Sequence, residues 1–354
     1  MNKNIFITIL LILLLIFTTG CTMYEIEDYF IVAGIGIDYN NNQFEVTYEI
    51  YEEKDGQTTE LSSIIKSGKG EVISHAINEM TLQMNKQPYL NHCSVIIINE
   101  NVLKEKFSET MNYLLHDVRI RSACYVMVTT KQSAKEIFEK SEEQNKVIAY
   151  DLYKHFDKKE NLLSKWTDSK FNKILNDKVN INGNVIIPVI EYENECDING
   201  AFIIKNDNSY IECNSDEIYI FQIFNKCLSE GLLNQNNKYL YLKQINSDYT
   251  YKDNSIKLNV KMKILSYDYI NSSEEEQYIN QLKESLNTDI IKVFNKYTSL
   301  GFDPFSIYKN LENHHLDKYQ NIKEEYNIFL QKLELQIILN IDLLTSGLSE
   351  ERIE

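Results

Sequence analysis

The sequence predicts an α+β protein of more than one domain, with mixed sheets packed against helices. Apolar residues repeat with a period of two in some stretches and three to four in others, and the two patterns alternate along the chain. The 354 residues are enough for two or three domains. Only three Pro and eleven Gly occur, which leaves no collagenous, linker-like or disordered tract of any length. With 43% apolar residues the cores can be substantial.

The first element is a leader. Ile5 to Phe17 is an apolar run with one cation, Lys3, before it. It is too short for a membrane-spanning helix, which needs roughly 20 apolar residues, and has the length and flanks of a secretory signal peptide. Thr18-Thr19-Gly20-Cys21 follows, and this run of small residues into a Cys resembles a bacterial lipobox. On that reading Cys21 carries a diacylglyceryl group and begins the mature chain. Two acyl chains on one residue anchor stably, whereas one binds only marginally. The other reading is an ordinary leader, cleaved or not, with Cys21 incidental.

The formal net charge of −16 excludes attraction to nucleic acid or anionic lipid by charge, so lipid rather than a polybasic patch would hold the chain at a membrane. Beyond Cys21, Cys93, Cys124, Cys196, Cys213 and Cys227 are an odd set that cannot pair completely, and most are expected as small buried hydrophobes. The expected organisation is a signal peptide over 1–20, an α/β-like domain over 21–190, and a C-terminal domain over 191–354. Residues 191–238 can be set apart as a small middle unit.

In the first domain Phe30 to Ile37 reads as a strand, with a turn at Asp38-Tyr39-Asn40-Asn41-Asn42. From Gln43 to Tyr51, Phe44, Val46, Tyr48 and Ile50 share one face and Glu45, Thr47 and Glu49 the other. Ile73, Ala76, Ile77, Met80 and Met84 follow helical spacing, His92 to Ile98 reads as a buried strand, and Leu103, Phe107, Met111 and Leu114 predict a second helix. Ala123 to Thr129 is expected as an inner strand, Ser133 to Lys140 as helix, and the polar stretch from Glu142 to about Lys178 as largely helical.

In the second half Gly200 to Lys205 and Tyr210 to Cys213 predict a hairpin about Asn206-Asp207-Asn208, followed by a helix over Asp216 to Leu228. Ile256 to Ile264 alternates with Lys257, Asn259, Lys261 and Lys263, a strand with one wet face. A long helix carries Ile279, Leu282, Leu286, Ile290, Val293 and Tyr297, started by a Ser273–Glu276 capping box and stopped at Gly301 before Pro304. Leu316, Tyr319, Ile322, Tyr326 and Phe329 predict one further helix, and Leu333 to Ile341 the last strand. Strand, long helix, helix, strand is the expected order of the C-terminal domain.

Several of these pieces, in this order, resemble the GerAC-like (Ger(x)C) family of spore germination proteins. Cys21-Thr22-Met23-Tyr24-Glu25-Ile26-Glu27-Asp28 and Val32-Ala33-Gly34-Ile35-Gly36-Ile37-Asp38 are similar to the family's mature start and its Gly-x-Gly-Ile-Asp run, without the family's Trp-Asp pair. His92 to Glu100 resembles its His before an apolar strand, with Asn99 in place of Gly. His116-Asp117-Val118-Arg119-Ile120-Arg121 resembles its Arg-Asp-x-Glu-x-Arg block, with His116 and Arg119 in place of Arg and Glu. Asn199-Gly200-Ala201-Phe202 and Tyr297 to Pro304 are similar to segments of its second half.

The resemblance implies a three-part extracytoplasmic lipoprotein with no catalytic site and no cofactor. It implies the C subunit of a nutrient germinant receptor, on the outer face of the spore inner membrane beside two integral-membrane partners, the A and B subunits. Its role there would be assembly or signal transmission. A lipid-anchored solute-binding protein, with a cleft between hinged lobes, is the alternative. A surface hydrolase ranks last.

The motifs that could carry chemistry have structural readings. Gly34-Ile35-Gly36 lacks the third Gly and following helix of a dinucleotide fingerprint and suits a strand with close backbone packing. His92 and Cys93, as neighbours in a strand, would point to opposite faces and form no nucleophile–base pair. His314-His315 has no third ligand at metal spacing and reads as a polar helix start. Glu274-Glu275-Glu276 suits a helix N-terminus. Asp117, Arg119 and Arg121 remain as the candidate cluster. Two of the chain's three Arg lie here, on one side if the segment is extended. By the resemblance to the family's charged block they read first as a structural ion pair with Asp117 or a nearby acid, and otherwise as a docking patch.

Overall fold

The structure, a computed structural model, describes residues 26–53, 61–157, 165, 167–228, 230–235, 238–266 and 275–345. Cys21, the Tyr24-Glu25 part of the opening motif, and the Ser273 cap lie outside the described residues.

β1 (Tyr29–Asn40) and β2 (Gln43–Glu53) form a hairpin across Asn41-Asn42. Both turn residues are left-handed, with φ of 52° and 61°, as a two-residue turn matched to strand twist requires. β3 (Leu61–Gly70) extends the hairpin, and α1 (Ile73–Thr81) returns the chain to the short β4 (Gln87–Tyr89) and to β5 (Val95–Asn99). A wide turn over Val102–Lys106 leads into α2 (Phe107–His116), which crosses back to β6 (Tyr125–Thr129). α3 (Ala134–Gln144), α4 (Ile148–Asp157) and α5 (Phe171–Val179) precede the antiparallel β7 (Asn184–Tyr192), β8 (Cys196–Lys205) and β9 (Tyr210–Cys213).

The sheet order is β3-β2-β1-β5-β6-β7-β8-β9, with β4 beside β1. Its centre, β1-β5-β6-β7, is parallel and its flanks are antiparallel. Parallel strands need crossovers, and these cover both faces. Ile73, Met80, Phe107, Met111 and Phe171 from α1, α2 and α5 close one face, and Ile137, Phe138, Ile148 and Leu152 from α3 and α4 the other. β5 and β6 are accordingly buried at every residue.

Two-sided coverage changes the reading of β2. Its apolar face is as expected, but Thr47 and Glu49 on the other, polar face are also 0% exposed, because α3 and α4 lie over them. The sheet also runs across residue 190. The expected domain boundary falls inside β7, and residues up to Cys213 complete the first sheet.

α6 (Ser215–Phe224) is buried at every residue from Ile218 onward, and Gln222 is the one amide among these otherwise apolar and aromatic side chains. A helix with so little polar surface belongs inside a core. Here it lies among the first sheet's last strands, the second sheet and α7. That second sheet is β10 (Gly231–Gln235), β11 (Lys238–Lys252), β12 (Ser255–Ser266) and β13 (Glu334–Thr345), in that order, with β12 and β13 parallel. α7 (Glu275–Ser299) packs on it through Leu282, Leu286, Ile290 and Phe294, and stops at Gly301, whose φ is +71°.

The expected single helix over 316–329 is instead α9 (Leu316–Ile322), a 3₁₀ turn at Lys323–Glu325, and α10 (Tyr326–Gln331), preceded by α8 (Ile307–His314). The break lets Tyr326 turn inward, where its hydroxyl donates to Asp303 at 2.7 Å.

Candidate functional site

α2 ends at His116, and Asp117 caps it with a backbone N–H donated to Tyr113 O. The next residues form turns rather than a strand: Ile120 N–H reaches Asp117 O, and Cys124 N–H reaches Arg121 O. The extended geometry that would set Arg119 and Arg121 on one side is therefore absent. Arg119 folds back on Asp117 instead, donating Nε at 2.8 Å and Nη2 at 2.7 Å to the two carboxylate oxygens, with its backbone N–H at 3.2 Å.

This fork holds the Asp117 carboxyl below the usual carboxylate range, the hydrogen bonds from Arg119 being the largest cause, and raises the Arg119 guanidinium further. The Asp117 side chain is only 8% exposed and that of Arg119 51%, so the pair straddles the surface. Arg121 is exposed, and its side chain makes no hydrogen bond or ion pair among the described residues. Beneath the pair lies Tyr48, fully buried, whose hydroxyl finds no partner among the described residues and is pushed far up by burial.

His92 and Cys93 are not strand neighbours, because β5 begins only at Val95. His92 ends a 3₁₀ turn (Leu90–His92) with its ring 5.5 Å from Tyr89, and Cys93 is buried with Sγ donating to Val95 O. Burial raises the Cys93 thiol well above its ordinary value and pushes those of Cys124, Cys196 and Cys213 up to about 12, so these four are protonated near neutrality. His314 ends α8, and His315 packs against Tyr251 with ring centres 5.6 Å apart. No group of three His, Cys, Asp or Glu with metal-binding geometry occurs among the described residues.

Three buried carboxylates meet helix starts. Asp38, at the end of β1, accepts from Ala134 N–H at 2.8 Å and Lys135 N–H at 3.1 Å, the first turn of α3. Glu49 accepts from Ile148 and Ala149 N–H of α4, both at 2.7 Å, and from Ser63 Oγ. Asp303 accepts from Ile307 and Tyr308 N–H of α8, both at 3.0 Å, and from Tyr326. The first N–H groups of a helix have no partner inside it, and a distant carboxylate supplies one. Burial, partly opposed by these bonds, raises Asp38 to about 6 and Glu49 to about 7, and raises Asp303 as well. Sequence reasoning identified Asp38 only as the end of a motif and missed Glu49, whose partners lie 99 and 100 residues away.

Two family models cover the chain in order: "Spore germination protein N-terminal domain" over residues 23–192, and "Spore germination B3/ GerAC like, C-terminal" over 199–347. The chain belongs to the GerAC-like family of spore germination proteins. The crystal structure of the GerBC protein shares its fold, with a TM-score of 0.57 at 15% identity over 88% of this chain and 97% of that one. No curated protein matches the chain.

In this GerAC-like chain the motif residues are joints of the architecture. A Cβ on Gly34 would lie 2.7 Å from Phe138 Cζ and 2.9 Å from Ala149 Cβ, so the glycine lets α3 and α4 approach β1. Asn99, in place of the family's Gly, accepts through Oδ1 from Tyr39 N–H at 3.1 Å and Val102 N–H at 3.0 Å, tying the ends of β1 and β5 to the turn before α2. Gly200 has φ +132°, and a side chain there would strike Cys213 O. No helix among the described residues is long and apolar enough to cross a membrane.

Proposed function

We infer that this chain is the lipid-anchored C subunit of a spore nutrient germinant receptor. It is tethered through Cys21 to the outer face of the spore inner membrane and works by protein contacts rather than catalysis. Its partners are the integral-membrane A and B subunits, and its role is assembly of the receptor or transmission of its signal. The observation that carries this reading is the pair of family matches, in family order, over residues 23–347 with a break of only a few residues.

The side-chain chemistry supports a non-enzymatic role. The three buried carboxylates are occupied by backbone donors, the buried thiols are held protonated, and the one bidentate Arg–Asp pair closes on itself. The alternative, a solute-binding protein, needs convergent polar groups free to meet a ligand. The polar recess at the carboxyl ends of β1, β5 and β6 includes Asn99 and Thr129, but both already bond to backbone. Replacing Cys21 with Ala in spores tests the reading. The expected result is loss of inner-membrane retention and of nutrient-triggered germination. Retention and germination both unchanged would overturn it.

A further inference from the structure

We propose that the end of the first domain holding the N-terminal ends of β1, β5 and β6 lies against the phospholipid headgroups of the bilayer that anchors Cys21. This rests on the lipid-anchored reading above and adds which surface faces the membrane. The connectivity sets the place. Crossovers between parallel strands must bring the chain back to the strands' starting end, so the C-terminal ends of α1 and α2, the turns at 117–124 and the start of β1 all gather there.

Tyr29 lies eight positions after Cys21. Even fully extended, these eight steps span at most about 29 Å, so this end is held close to any membrane in which position 21 is embedded. Its exposed side chains suit such a boundary. Leu82, just past α1, is 74% exposed, Leu115 in the last turn of α2 is 51% exposed, and Val118 is 93% exposed. Tyr29 and Tyr89 pack with ring centres 5.7 Å apart, and Lys86 lays its ammonium 5.6 Å from the centre of the Phe30 ring. Aromatic rings with polar tips and long cationic stems are the side chains that favour the interface between headgroup and acyl chain.

Two of the chain's three Arg also lie here, Arg119 paired with Asp117 and Arg121 exposed, so a cation is available to meet a headgroup phosphate. The opposite end presents Asn40, Asn41, Asn42, Asn101 and Glu105 around a polar hollow, with Val72 its exposed large apolar side chain. A protein tethered by lipid next to this end settles with the exposed apolar side chains there toward the bilayer.

The test uses the full acylated chain in vesicles of phosphatidylethanolamine and phosphatidylglycerol with brominated acyl chains. Trp166 is the chain's one Trp, so W166F gives a dark background for a single reporter. V118W places it at the proposed contact and K131W at the opposite end, both positions being well exposed. The expected result is flotation of both variants with the vesicles and bromine quenching of V118W at least about two-fold stronger than of K131W. Flotation with equal quenching would overturn the proposal while leaving the anchor intact, and would free this face for a protein partner. Failure of both to float would remove the anchor, and this orientation with it.

Discussion

Glu49 and Ala149 are joined across 100 residues of chain by a 2.7 Å hydrogen bond from the Ala149 N–H to the Glu49 carboxylate. The bond pins the start of α4 to the middle of β2, and with its neighbour from Ile148 fixes how the second helical layer sits on the sheet. Because Glu49 is wholly buried, its proton is held up to about pH 7.

That shift gives a signed pH dependence. A carboxyl whose folded pKa is raised contributes most below its unfolded value, about 4.3, and loses that contribution as pH rises through the folded value. E49Q removes the titration and misplaces an amide N–H against two backbone donors. Urea denaturation is expected to show a loss of about 2 kcal/mol at pH 5 that narrows by pH 8. A deficit that widens with pH would contradict the assignment.

The Asp117–Arg119 fork has the opposite sign. Arg119 holds the Asp117 carboxyl low, so its contribution is present above about pH 4 and is lost as pH falls further. With Arg119 half exposed, D117N is expected to cost no more than about 1 kcal/mol at pH 7. Denaturation at pH 7 and pH 3 measures both quantities. If D117N spores lose nutrient response while keeping that stability, the cluster is a docking patch rather than a local brace.

Gly34 and Phe138 make a third case. G34A drives a methyl to 2.7 Å from the ring and is expected to cost about 1–3 kcal/mol through overpacking. F138L in the same chain opens space and should recover part of that loss, measured as a favourable coupling in a double-mutant cycle. Purely additive losses would mean that α3 shifts freely instead.

Asp303 is fully buried and serves three donors. D303A is expected to cost about 3 kcal/mol or more, since two N–H groups of α8 and the Tyr326 hydroxyl lose their partner, while Y326F removes one bond for about 1 kcal/mol. Thermal denaturation ranks the two, and equal effects would deny Asp303 its role as the hub of this turn.

Much of the fold was legible because local periodicity reports burial. The alternation of β2 and β12, the helical spacing of α1, α2 and α7 and the Asn-rich turn before β2 all appear where expected. What was missed depends on distant partners. β3 reads Leu-Ser-Ser-Ile-Ile-Lys-Ser-Gly-Lys-Gly, with no clean alternation, and becomes a strand through its pairing with β2. β7 contains Pro188, which argues against a central strand. It is tolerated because the ladder to β6 begins only at Val189. The ion pair of Asp117 was anticipated from the resemblance to the family's charged block, while the turn that isolates Arg121 was not.

The last strands of the first sheet are walls of two cores at once. On β7 and β8, Ile187 and Phe202 face the α1–α2–α5 layer, whereas Ile186, Ala201 and Ile203 on the reverse side are buried with α6 and the second sheet. No greasy seam is left along which the two halves could swing apart without exposing Ile203 and Phe221 to water. Such a molecule behaves as a strut rather than a clamshell. Parting the two halves would cost the burial of both walls at once.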